Sequence, residues 1–102
     1  MIKYTVIFSV EAKMDMASLE DYIRDDLKSP LTASNYMKEL DNTIQELSMY
    51  AGSIAISTNN YIQLFYGPEA KRINYKKIAI IFTVYKNYAY IKRVIPASLI
   101  LS

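Results

Sequence analysis

The side chains with the widest chemical reach gather in one stretch, "KRINYKKIAIIFTVYKNYAYIKRVIP", residues 71–96. It holds Lys71, Arg72, Lys76, Lys77, Lys86, Lys92 and Arg93, seven of the chain's twelve Lys and Arg residues, with Tyr75, Tyr85, Tyr88 and Tyr90 among them. Cations at this density suit an anionic partner such as nucleic acid or an acidic protein segment. The same charges would equally serve as edge and turn residues that keep a sheet soluble and unpaired.

Composition narrows the chemistry. The 102 residues include no Cys and no His. That excludes a disulfide framework, a thiolate nucleophile, a Cys-based zinc site and His-dependent triads. With Gly52 and Gly67 the only glycines, neither a phosphate-cradling P-loop nor a dinucleotide-binding glycine fingerprint can be written. No cofactor or metal is expected. No run of 18 apolar residues exists, so no membrane-spanning helix is expected. The start, "MIKYTVIFSVEAK", has no long apolar core and no small-residue cleavage site, so the expected address is the cytoplasm. About half the residues are apolar, and length and composition predict a single domain over residues 1–102. The net charge of +2 hides a split: residues 1–50 carry five basic and nine acidic side chains, residues 51–102 seven basic and one acidic, Glu69.

Regular elements must position these charges. "IKYTVIFS" alternates Ile2, Tyr4, Val6 and Phe8 against Lys3, Thr5, Ile7 and Ser9, the period of a strand. Ser9 can then cap a helix over "VEAKMDMASLEDYIRDDL", where Ala12, Met16, Leu19, Ile23 and Leu27 form one apolar stripe. Ser29 and Pro30 suit the start of a second helix, whose stripe is Ala33, Met37, Leu40, Ile44 and Leu47, with Gly52 as a left-handed stop. The link is so short that the two helices fold back as a hairpin. Ser57 or Thr58 would cap a short helix through "NNYIQLFY", stopped by Gly67-Pro68. Three strands follow at about 70–75, 78–85 and 88–95. The order β-α-α-β-β-β predicts an α+β domain with the helical hairpin on one face of an antiparallel sheet.

Two-residue turns at Lys76-Lys77 and Lys86-Asn87 fix the faces. Ile73, Tyr75, Ile78, Ile80, Phe82, Val84, Ala89, Ile91 and Ile95 would face the helices. Arg72, Asn74, Ala79, Ile81, Thr83, Tyr85, Tyr88, Tyr90, Lys92 and Val94 would lie on the uncovered face, with Arg72 and Lys92 flanking Ile81. Arg93 breaks the pattern by falling in line with the core residues. It sits at the rim, or pairs with a carboxylate, or the register shifts by one. Elsewhere, Glu20, Asp21, Arg24, Asp25 and Asp26 read as a solvated helix face with a Glu20–Arg24 pair. Met14, Met16, Met37 and Met49 read as core filler or helix-face packing. The apolar tail "ASLILS" completes the core or meets a partner.

The order of these elements resembles the RelE/ParE superfamily of bacterial type II toxins. The likeness rests on "YTVIFSVEAKMDMASLEDYI", on "SPLTASNYMKELDNTIQEL", and on "KRINYKKIAIIFTVYKNYAYIKRVI", which is similar to that family's Arg-bearing strand, Tyr-ending central strand and Arg-bearing last strand. It spans nearly the whole chain. The resemblance implies a plasmid-stabilisation-type toxin that inhibits growth and is neutralised by a cognate acidic antitoxin. One branch of the family cuts messenger RNA in the ribosome. For that branch the resemblance implies catalytic candidates Arg72, Lys76, Lys77 and Arg93: a lysine as base and the arginines as clamps on phosphate charge. Lys92, Tyr85, Tyr88 and Tyr90 would contact nucleic acid or a partner. The other branch inhibits DNA gyrase. The central strand "IAIIFTVY" lacks the cation common in cleaving members, and "IPASLILS" lacks their basic or Tyr-containing tail. The expectation is therefore a ParE-like toxin, with mRNA cleavage as one alternative and a non-toxic nucleic-acid- or protein-binding module as another.

Overall fold

The computed structural model describes residues 3–101. Strand β1 (Thr5–Phe8) leads into α1 (Val10–Leu27), α2 (Pro30–Gln45), a short α3 (Leu47–Tyr50), α4 (Asn60–Tyr66) and strands β2 (Lys71–Tyr75), β3 (Ile78–Tyr85) and β4 (Tyr88–Pro96). The sheet order is β1-β4-β3-β2. The expected antiparallel arrangement holds for β2, β3 and β4, and β1 adds to the edge of β4 in parallel. A parallel pair needs a long crossover, and here everything between β1 and β4 supplies it.

Local chemistry sets the helix ends. The Ser9 hydroxyl accepts from the Ala12 N–H and caps α1. Ser29 caps α2 through the Thr32 N–H, with Pro30 in the first turn, where a missing N–H costs nothing. Asn59, not Ser57 or Thr58, caps α4 by accepting from Ile62 N–H. Ser57 instead accepts from the Asn59 N–H, which orients the cap. Gly67, at φ 101°, ends α4.

The expected second helix breaks at Glu46, and α3 then runs into a turn of 3₁₀ helix, Ala51–Ser53. Gly52 is not a left-handed stop, since Gly67 is the one described glycine with positive φ. Its lack of a side chain serves packing: a Cβ there would run into the Tyr4 hydroxyl. Tyr4 stays out of the sheet because its N–H and that of Lys3 both donate to the Ser48 carbonyl. Ile2 and the side chain of Leu27, both in the expected stripes, lie outside the described residues. Met16 and Met37 pack on the core, while Met14 and Met49 are exposed.

The sheet has two apolar faces, not one. Leu19, Ile23, Leu40, Ile44 and Leu47 pack on Ile78, Ile80, Phe82, Ala89, Ile91 and Val94. Behind the sheet, Ile62 of α4, Ala70 and Ile100 of the tail cover Ala79, Ile81 and Ile95. Val94 and Ile95 thus exchange the faces expected of them. The cause is a β-bulge: Ile81 pairs with Arg93 but Phe82 pairs with Ile91, leaving Lys92 unpaired. One extra residue in β4 inverts every side chain beyond it. It also places Arg93, rather than Lys92, beside Ile81.

Candidate functional site

Arg72, Ile81 and Arg93 form one row across β2, β3 and β4. Ile81 is fully buried under α4, so the two arginines are separated by packed apolar side chains. Each head group turns to its own partner. Arg72 Nε donates to Asn74 Oδ1 at 2.9 Å. Arg93 donates through Nε and one terminal nitrogen to the two Asp15 oxygens, at 2.7 and 2.9 Å.

Asp15 does more than hold a charge. Its Oδ2 also accepts from the Val94 N–H at 2.9 Å. Strand β1 covers β4 only as far as Ile91. Beyond it, the Ser9 hydroxyl donates to the Lys92 carbonyl at 2.9 Å and Asp15 takes the Val94 N–H, so α1 closes an edge that β1 leaves open. Asp15 is the inward acid that the α1 stripe predicts once it is noticed, lying three residues after Ala12 and four before Leu19. The Asp15 hydrogen bonds raise the Arg93 pKa further above its already high ordinary value. Burial raises the nearby Tyr66 phenol, with the Arg93 charge pulling the other way. Tyr66, Ser9, Glu11, Lys92 and Arg93 line a shallow surface pocket there. The Glu20–Arg24 pair does not form; Arg24 bonds Asp21 instead, at 2.6 Å.

Lys76 and Lys77 occupy the β2–β3 turn, Lys76 at φ 52°. Lys76 Nζ stands 5.2 Å from the Tyr36 ring centre and 5.4 Å from that of Tyr75. These rings meet edge to face at 5.2 Å. The Tyr75 hydroxyl donates to Glu39 at 2.6 Å, which pushes its pKa up to about 12. Neither Tyr36 nor Glu39 was signalled as a functional neighbour, because α2 meets the turn only through the tertiary fold. Lys71, at the other end of β2, reaches back toward the Ala51 and Gly52 carbonyls.

Tyr85, Tyr88 and Tyr90 lie around the β3–β4 turn, on the half of the rear face beyond the Ile62–Ile81 cluster. All three are exposed. Tyr88 and Tyr90 ring centres are 6.3 Å apart, and Lys86 Nζ lies 5.5 Å from the Tyr85 ring.

A groove of roughly 1240 Å³ lies on the helix side of β4's closing end. Leu19, Tyr22 and Ile23 of α1 form one wall, and Pro96, Ala97 and Leu99 the other. Lys76, Lys77 and Arg93 supply cations at its margins, Asp15 and Asp26 acids.

Of the catalytic candidates, Lys76, Lys77 and Arg93 share the margin of this groove, while Arg72 does not line it. Lys76 lies four residues along β2 from Arg72, roughly 13 Å at strand rise. Arg93 is already bonded twice to a carboxylate. Acid–base cleavage of a phosphodiester needs base, acid and charge clamps around one phosphorus; here one arginine clamp, Arg72, lies outside the groove and the other, Arg93, is engaged by Asp15. What the surface offers is separated binding features: an apolar groove with a cationic margin, and a bare tyrosine-lined sheet end.

No family model and no curated protein matches the sequence. The structure is similar to a chain of the chromosomal ParDE TA system from P. aeruginosa, with a TM-score of 0.76 and 14% sequence identity, over 92% of this chain and 96% of that one. At that identity the likeness establishes the fold, and the fold is RelE/ParE-like.

Proposed function

We propose that this chain is the toxin of a type II toxin–antitoxin pair, ParE-like, that inhibits growth and is neutralised by a cognate acidic antitoxin. The observation that carries the reading is the groove beside the end of β4, within a RelE/ParE-like fold. Its walls are apolar and exposed, Tyr22 at 67% and Leu99 at 57%, and Lys76 and Lys77 stand at its margin. An amphipathic segment with apolar anchors and acidic flanks suits such a site. The docking charges are Lys76 and Lys77, which line this groove, whereas Arg72 and Lys92 do not.

DNA gyrase is the target favoured over ribosome-bound mRNA. The position of Arg72 outside the groove and the engagement of Arg93 by Asp15 support that preference. The cell in which the pair acts is bacterial, and the compartment is the cytoplasm.

The test has two arms. Induced expression should arrest growth, and co-expression with the acidic product of an adjacent gene should relieve it. In purified systems, the protein should block gyrase supercoiling or trap cleaved DNA, and leave a translated message intact. Cuts within A-site codons that vanish in Arg72→Ala and Arg93→Ala would overturn the preference and make the chain a ribosome-dependent nuclease. No growth effect, with or without the neighbour, would leave a binding module instead.

A further inference from the structure

We propose that the free edge of β1 pairs with the same edge of a second copy of this chain, joining two sheets across a two-fold axis at Ile7. The Thr5 N–H donates to the Asn87 carbonyl and the Ser9 N–H to the Ile91 carbonyl, so the odd residues of this segment face β4. The even residues turn their main-chain groups outward. At Tyr4 the outward N–H is taken by the Ser48 carbonyl. At Val6 and Phe8 no described group bonds the N–H or the carbonyl.

The two edges of the sheet are unlike. On β2, which carries Lys71 and Arg72, Ile56 bridges Lys71 and the Ser57 N–H donates to the Ala70 carbonyl. Charge and a covering segment keep an edge from pairing. The β1 sequence "TVIF" has no charge and no proline, and its register with β4 runs without a bulge. Val6, Ile7 and Phe8 are only half-buried.

Symmetry fixes the register. Antiparallel pairing about Ile7 sets Val6 of each copy opposite Phe8 of the other, so each open N–H meets an open carbonyl. Ile7 then faces Ile7 of the second copy in the closer, non-hydrogen-bonded kind of pair. Val6 and Phe8 pack toward the helices, which puts Ile7 on the rear face, beside Tyr90. Tyr90 and Ile7 of one copy would continue into Ile7 and Tyr90 of the other as one row.

Charge selects a second copy as the occupant. Lys3 lies two residues before β1 and Glu11 three residues after it, and both are exposed. The register brings Lys3 of each copy toward Glu11 of the other. An acidic segment would meet Glu11 at one end of the strand, and a basic one would meet Lys3 at the other. A second copy matches both ends, and does so twice, as a two-fold contact must. The antitoxin groove is lined by β4 from Arg93 onward, past the stretch that β1 covers.

The experiment is sedimentation equilibrium of the purified chain, without antitoxin, over a concentration series, with amide exchange followed by NMR at low and high concentration. The chain should pass from monomer to dimer. The Val6 and Phe8 amides should gain protection with concentration, while that of Ile7, already paired with β4, changes little. Lys3→Glu and Glu11→Lys should each weaken the dimer roughly tenfold. An equimolar mixture of the two variants should recover it, because each chain supplies the charge that the other lacks. Both positions are exposed, so both variants should fold, which circular dichroism checks. A chain that stays monomeric throughout the series would overturn the proposal. So would a dimer whose Val6 and Phe8 amides exchange freely, or a mixture that fails to recover association. Protection of these amides only when an acidic antitoxin is added to a monomeric chain would assign the edge to the antitoxin and overturn it too.

Discussion

Asp15 on α1 holds Arg93 on β4 through two nitrogen–oxygen bonds and accepts the Val94 N–H with the same carboxylate. A residue that looks available for chemistry in the sequence is thereby committed to joining helix and sheet. Asp15→Ala would strand the Val94 N–H and leave Arg93 without its partner. It should lower unfolding free energy by about 1–3 kcal/mol. Asp15→Asn retains an acceptor for Val94 and should cost less. Denaturant melts of the two variants check this, and equal losses would show that the backbone bond contributes nothing.

The cover that α4 gives the rear of the sheet makes a sharp prediction about neighbouring residues of β3. Ile81 is fully buried behind the sheet and Phe82 fully buried in front of it, whereas Thr83 is only half-buried. Phe82→Ala should cost about 3–5 kcal/mol and Ile81→Ala about 2–5 kcal/mol. Thr83→Ala should cost far less than either. Chemical unfolding distinguishes this from a sheet with one covered face, in which Ile81→Ala would be as mild as Thr83→Ala.

Much of this was legible in the sequence. The helical stripes placed Leu19, Ile23, Leu40 and Ile44 against Ile80, Phe82 and Ile91, and the two-residue turns fixed the hairpins. Those signals are local and periodic. The bulge at Lys92 was not legible, since one extra residue in a strand changes neither composition nor turn chemistry. Arg93 out of line on the expected core face was its trace, and Asp15 out of place on an apolar helix stripe was the matching one. The cover supplied by α4 was missed for another reason. A seven-residue helix announces itself weakly, and nothing in "NNYIQLFY" says which face of the sheet it will meet.

Tyr75 gives the fold a dependence on alkaline pH. Its hydrogen bond to Glu39 raises the phenol pKa to about 12, above the ordinary value near 10. A raised folded pKa means that the folded state holds its proton more tightly. The contribution is complete below about pH 10 and is lost as pH rises through 12. Burial raises Tyr36, Tyr50 and Tyr66 as well, with the same sign. Tyr75→Phe should flatten part of the stability loss in that window, and ultraviolet titration of tyrosinate should lose its latest-titrating phenol. An unchanged pH profile in Tyr75→Phe would mean that the Glu39 bond does not persist in solution.

The groove and its cationic margin predict how an acidic antitoxin arrives and how it stays. Lys76 and Lys77 stand at a turn tip, exposed to water, where charge acts on encounter more than on the finished contact. Lys76→Ala/Lys77→Ala should slow association several-fold at low ionic strength and reduce its dependence on salt, since screening removes the same attraction. The apolar walls act after encounter. Tyr22 and Leu99 are the exposed anchors there, and Tyr22→Ala or Leu99→Ala should speed dissociation while leaving the association rate nearly unchanged. Stopped-flow mixing across a salt series, followed by chase with unlabelled antitoxin, separates the two rates. Association insensitive to salt in the parent protein would remove the steering role of the lysines. Dissociation unaltered in both wall variants would move the docking surface elsewhere on the fold.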